Sequence, residues 1–414
     1  MVLRCVEGPG LMKSLFFATT ISVALMPSVP EPTDPLAIAF AVFAGLLFLR
    51  WFMTTMMKGT LPKSTSGAWL IAFVALVLLS SITAMLFETP FDLWLRGAIP
   101  FFFLLTFFPA LHIAGRDPHW VLDVLHLSAV AWLVSTMTAA APAVPAVLSG
   151  EVQRITHATE AWAAFQLPYA IVGLALTLFH PSRWLHAVRW PLAFLFSCVP
   201  LFAVSRGQIA AVVAIWLAYF TRLPAAAKRR AALPVLLLVT GIAILVWQSA
   251  LHEALLQRFS DTGNGDNSRW LELEYAFGQF LESPLLGKGL GHQIPAEVTF
   301  AGDWQTITSV GVDAVGYMHN VIGYLLMNLG VPGLIAYVGF IVAALPRGKA
   351  AFSTTDLNAW WAAVVVVFAL LLWFALQPAF RHIQCNLLLA VAVAVLAALR
   401  TKRSRGAILD ARPA

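Results

Sequence analysis

The chain has 414 residues, 60% of them hydrophobic and only 11% charged, with 29 Phe and 15 Trp. That composition excludes a water-facing globular surface and describes a polytopic membrane protein. The net charge of +6 and the pI near 9.4 follow from membrane topology and point to no nucleic-acid partner.

A helix needs roughly 20 apolar residues to cross the hydrocarbon core. Such segments are predicted at 11–29, 35–53, 67–87, 95–114, 120–141, 161–179, 189–205, 207–221, 232–249, 318–345, 358–377 and 382–399. The expected fold class is all-α, an integral membrane protein of about 12 transmembrane helices with one large outer loop between the ninth and tenth. The first segment follows Arg4 and Lys13 like a signal peptide, but "MPSVPEP" offers no small-x-small cleavage site, so an uncleaved span is expected. Lys and Arg gather on the cytoplasmic side of short loops. With both termini cytoplasmic, that side receives 19 of the 26 basic residues, together with His112, His119, His180 and His186.

The chain then divides into spans one to nine (1–249), an outer loop (250–317), spans ten to twelve (318–399) and a basic tail (400–414). Loops as long as 250–317 are usually functional. Within it, "RWLELEYAFGQFLE" places Trp270, Leu273, Phe277, Phe280 and Leu281 on one side of a helix, with Glu272, Glu274 and Gln279 elsewhere, which predicts an amphipathic helix lying on the membrane or capping a cavity. "SPLLGKGLGHQIP" after it reads as a tight turn.

Three outer-side arginines are unusual. Ser205, Arg206 and Gly207 are almost the whole connection between two spans, Arg381 and His382 lie in a short turn after Pro378, and Arg154 and His157 precede the sixth span. An arginine held at the membrane boundary is costly unless it snorkels to headgroups or faces a polar cavity or an anion. The planar guanidinium fork suits phosphate oxygens, so an anionic, phosphate-bearing ligand at the outer leaflet is expected. In "MHNVIGYLLMNLGVPG", a helix beginning at Met318 would put His319, Gly323, Leu326, Gly330 and Gly333 on one stripe. The small residues predict a packing seam, with His319 where it opens outward, either as a helix-start hydrogen-bonding group or as a general base. No H-x-x-x-H, H-E-x-x-H or D-x-D pattern occurs, Cys5, Cys198 and Cys385 are too few and scattered for a thiolate site, and no metal or cofactor is expected.

Three stretches carry a family resemblance: "SRGQ" at 205–208, "SRWLELEYAFGQFLESPLLGKGLG" at 268–291 and "HNVIGYLLMNLGVPG" at 319–333. They resemble the O-antigen ligase family, within the group that also includes O-antigen polymerases and protein O-oligosaccharyltransferases. The resemblance implies a metal-independent glycosyltransferase of the bacterial inner membrane, with its site facing the periplasm under the large loop. It implies transfer of a glycan from undecaprenyl pyrophosphate to a sugar hydroxyl of lipid A-core. Arg206 would bind the pyrophosphate, Arg269 would belong to the loop helix near the site, and His319 would serve the acceptor; Arg154 and Arg381 join them from the rim, with Asn320, His157 and Ser205 in support. A polymerase differs only in its acceptor. A lipid-linked glycan transporter would also present arginines to a pyrophosphate, but would need cations along both faces of its pathway.

Overall fold

The computed structural model describes residues 9–26, 33–58, 64–151, 168–180, 183–260, 264–299, 314–316, 318–345 and 353–410. The chain is built of helices: α1 (Pro9–Leu25), α2 (Pro35–Lys58), α3 (Thr65–Leu86), α4 (Phe91–Phe102), α5 (Phe107–Ala114), α6 (Pro118–Ala140), α7 (Val144–Ser149), α8 (Tyr169–Phe179), α9 (Arg189–Phe202), α10 (Arg206–Arg222), α11 (Ala225–Trp247), α12 (Leu251–Ser260), α13 (Asn264–Glu282), α14 (Ala296–Thr299), α15 (Val321–Val342), α16 (Thr354–Leu376) and α17 (Ile383–Asp410). A two-stranded antiparallel ladder pairs Ile294 with Val315 and Pro295 with Ala314.

Nine helical segments among the described residues are long and apolar enough to cross a membrane. Length and composition thus account for nine of the about 12 expected spans among the described residues. The remaining three expected spans coincide with α1 and α8, which are shorter apolar helices, and with the 17-residue α10; part of the span expected at 161–179 lies outside the described residues. Local chemistry sets several boundaries. Asp117 caps α6 by accepting from the Trp120 amide, with Pro118 at the first helical position, where its missing N–H costs nothing. The span expected at 95–114 is two helices joined by a 3-10 turn at Phe103–Thr106, because Pro109 leaves the carbonyl of residue 105 without its helical donor.

The core forms around α17, whose residues 387–399 are buried. It packs against α4, α5, α6 and α16. The opposite pattern holds for α11, where Leu233, Leu236, Leu237 and Val239 are exposed, an all-round apolar helix that needs lipid around it.

The α15 helix is interrupted at Gly330, where φ is +67°. Pro332 has no N–H for the Asn328 carbonyl, and the Val331 amide donates instead to Pro284 O at 2.9 Å. The freed carbonyls are taken by the turn that follows α13: Lys288 N–H donates to Met327 O at 2.8 Å and Gly289 N–H to Asn328 O at 3.0 Å. The Val331 amide and the carbonyls of Met327 and Asn328 thus find partners outside the helix, as a buried break demands. Gly289, at φ +87°, lies against the backbone of Ala84 at the end of α3, so the turn wedges between α3 and α15.

Candidate active site

His319 stands one residue ahead of the cap of α15. Asn320 is that cap: its Oδ1 accepts from the amides of Ile322 at 2.9 Å and Gly323 at 3.1 Å, while its Nδ2 donates to Ala375 O at 3.2 Å. The expectation of a helix beginning at Met318 is corrected accordingly. The short amide side chain of Asn320 captures the first free N–H groups, so the helix starts at Val321 and His319 precedes it. The expected glycine stripe is likewise not one seam, since the helix breaks at Gly330. Gly323 does admit a neighbour: a Cβ there would meet Leu273 of α13 at 3.1 Å.

The partner of His319 comes from α13. Glu272 accepts the His319 backbone N–H at 2.9 Å through Oε2, and the ring Nδ1 lies 2.9 Å from Oε1 and 3.1 Å from Oε2. Glu272 is 1% exposed and the His319 side chain 23%. An ionised carboxylate only accepts, so this pairing assigns the proton to Nδ1 and leaves the Nε2 lone pair as a proton acceptor.

The helix α13 turns part of its apolar side outward and buries an acid. Trp270, Phe277 and Leu281 are exposed, at 68%, 55% and 61%, while Glu272 and Ala276 are buried. It packs on α15, where Glu272 meets His319 and Leu273 lies against Gly323, while Trp270, Phe277 and Leu281 face outward.

Arg269 lies one turn before Glu272 on α13, half-buried. Arg206 opens α10, with Ser205 at the cap position making no side-chain capping bond. The preceding Val204 has φ +47°, a left-handed conformation that a β-branched residue adopts only under strain. Gly207 abuts the C-terminal end of α16, where a Cβ would meet Trp373 at 3.0 Å and Leu376 at 3.4 Å. Arg381 ends the 3-10 turn Pro378–Arg381 directly after α16. Phe380 beside it is 5.0 Å, ring to ring, from Tyr324.

One helix end therefore gathers most of the predicted residues: Asn320 bonds to Ala375, the helix carrying Arg206 rests on Trp373 and Leu376, and Arg381 follows within the same turn. His319 adjoins Asn320, and Arg269 joins through Glu272. Arg154 and His157 lie outside the described residues. Among the described residues no group of three His, Cys, Asp or Glu side chains is placed to hold a metal ion.

Sequence reasoning missed Glu272 and the break in α15, into which the tight turn expected at 283–295 inserts. A signal was present for the first: Glu272 falls one helical turn from Arg269, which the family resemblance places near the site. In the turn, Lys288 is 5% exposed, bonds to the Glu282 carboxylate and stands 4.1 Å over the Phe87 ring. Burial, and then the Lys288 charge, push the His292 imidazole below its ordinary value of 6.5.

No curated protein matches the chain. Residues 191–338 match the family described as O-Antigen ligase, a stretch running from α9 into α15 that includes Ser205, Arg206, Arg269, Glu272, His319 and Asn320. The matched stretch holds all three of the sequence segments that resemble this family.

Proposed function

We propose that the protein is an O-antigen ligase, transferring a glycan from undecaprenyl pyrophosphate to a sugar hydroxyl of lipid A-core at the periplasmic face of the inner membrane. The observation that carries the reading is the His319–Glu272 pair, set beside the helix end that gathers Arg206 and Arg381. Glu272 holds the imidazole through Nδ1, and the acceptor hydroxyl gives its proton to Nε2 as its oxygen attacks the anomeric carbon. The bond from that carbon to the phosphate oxygen breaks, and the electron pair leaves on the pyrophosphate. Arg206 and Arg381 neutralise the charge that grows there, a role fixed guanidinium groups fill without a metal ion. Glu272 stabilises the imidazolium until the proton passes to solvent. A general base contributes typically ~10²–10⁴-fold.

The test is purified protein in detergent with EDTA, a carrier-linked glycan and lipid A-core, read by product mass. Glycan on lipid A-core supports the ligase. Longer glycans still on the carrier would make it a polymerase, and no covalent product would favour a transporter.

A further inference from the structure

The α10 helix carries an arginine at each end. Arg206, at the His319 end, and Arg222 are 16 residues apart, about 24 Å along a helix, against a hydrocarbon core of about 30 Å, so the two stand at opposite membrane boundaries. Between them α10 and α16 leave a groove of about 180 Å³ whose lining side chains are all apolar. The α10 wall is made of the small residues Ala211, Ala214 and Ala218, and the α16 wall of larger ones, among them Trp361, Phe368 and Leu372. The step from small to large side chains makes the recess. It is open along one side, since Phe368 is 60% exposed and Ala214, Ala218, Trp361 and Leu372 are only half-buried.

Beyond its last apolar residues the groove meets a charge. One turn after Ala218 on α10 is Arg222, and one turn before Trp361 on α16 is Asn358. These two close the end, Arg222 donating from Nη2 to Asn358 Oδ1 at 2.6 Å. The guanidinium carbon lies 5.4 Å from the ring of Trp361, itself a wall of the groove, and 5.9 Å from that of Phe179. The rings hold the fork in place, and its five N–H donors exceed what one amide oxygen can take. Arg222 is half-buried, and Lys228, Arg229 and Arg230 follow it, exposed, early in α11. Asp356, the acid just before Asn358, is already held by Lys402 at 3.0 Å.

We infer that the groove and Arg222 together bind an anionic glycerophospholipid of the leaflet opposite the His319 site, one acyl chain along the groove and the phosphate on Arg222. Lipid tails are as apolar as the groove walls, so the chain gains little by leaving its neighbours and the headgroup decides which lipid stays. A phosphate accepts two parallel N–H bonds from the guanidinium fork. The three further cations favour a headgroup of net negative charge over a zwitterion, whose ammonium they repel. The inference is independent of the reading of His319.

The test uses the whole protein in nanodiscs of equal phosphatidylglycerol and phosphatidylethanolamine, with the lipid retained on release read by native mass spectrometry. The parent should keep phosphatidylglycerol in excess, and Arg222→Gln should lower that excess by about fivefold, the scale of one surface cation. Ala214→Trp, which fills the groove, should remove the excess, whereas Val213→Trp, at a position 51% exposed on the outward face of the same helix, should leave it. Equal retention of the two lipids by the parent overturns the inference whether or not a variant folds. So does an excess that survives both Arg222→Gln and Ala214→Trp, or a parent recovered as a lipid-free dimer, which would make the groove a seat for a second copy.

Discussion

Glu272 and His319 lie 47 residues apart in sequence, yet one carboxylate accepts both the backbone N–H and the ring Nδ1 of the histidine. The double attachment fixes the ring's position as well as its tautomer. It also couples the loop helix α13 to the mouth of α15, so that any displacement of the loop changes the base.

Replacement of either member should therefore have a similar cost. His319→Ala and Glu272→Gln are each expected to lower glycan transfer by about 10²–10⁴-fold, and the double variant should be little worse than the worse single one, as for residues acting as a unit. Turnover rates of the three variants at saturating acceptor check this; multiplicative losses would mean independent roles.

On the proposed reading Arg206 meets the pyrophosphate as a fork and not merely as a charge. Arg206→Ala should lower turnover by about 10²–10³-fold, the scale of one lost electrostatic donor, and Arg206→Lys should recover only part of it, because the ammonium cannot bond two oxygens in one plane. Full recovery by lysine, measured with the carrier-linked donor, would reduce the role to charge alone.

The turn that fills the α15 break should be intolerant of side chains. Gly330→Ala and Gly289→Ala each force an L-residue into positive φ against neighbouring backbone, an expected loss of about 1–3 kcal/mol. A lowered melting temperature in detergent checks this, with Gly278→Ala as a control, since nothing lies within 4 Å of a Cβ there.

The same turn should loosen in mild acid. The His292 imidazole is held below its ordinary 6.5 by burial and by Lys288, so the unfolded chain takes up its proton first. The stability this gives is complete above pH 6.5 and is lost as pH falls from there toward the lower folded value. Hydrogen exchange of residues 283–292 should accelerate over that window, and His292→Asn should remove the His292 share of the dependence.

Attack opposite the leaving pyrophosphate inverts the anomeric carbon. A nuclear magnetic resonance assignment of the new linkage should show the configuration opposite to that of the carrier-linked glycan; retention would require a covalent intermediate that His319 and Glu272 do not supply.

Much of this was legible in sequence because membrane helices announce themselves by composition and glycines and arginines by their scarcity in particular places. Arg206 and Arg381 were found that way and Asn320 through the family resemblance, and the structure sets them around one end of α16. What sequence could not give was long-range. Glu272 looked like part of a solvated face because α13 carries apolar residues on its other side, and a hydrophobic stripe beside a membrane points to lipid as readily as to a core. The break at Gly330 was hidden for a related reason: glycines seven and three apart read as a packing seam, whereas Pro332 and the Lys288 and Gly289 amides make them a socket.

The most direct test compares the parent with His319→Ala in EDTA, following transfer of the carrier-linked glycan onto lipid A-core by mass. Metal-free transfer by the parent, lost in a variant that still melts as the parent does, is the result expected. Undiminished transfer by the folded variant would contradict the assignment of the base.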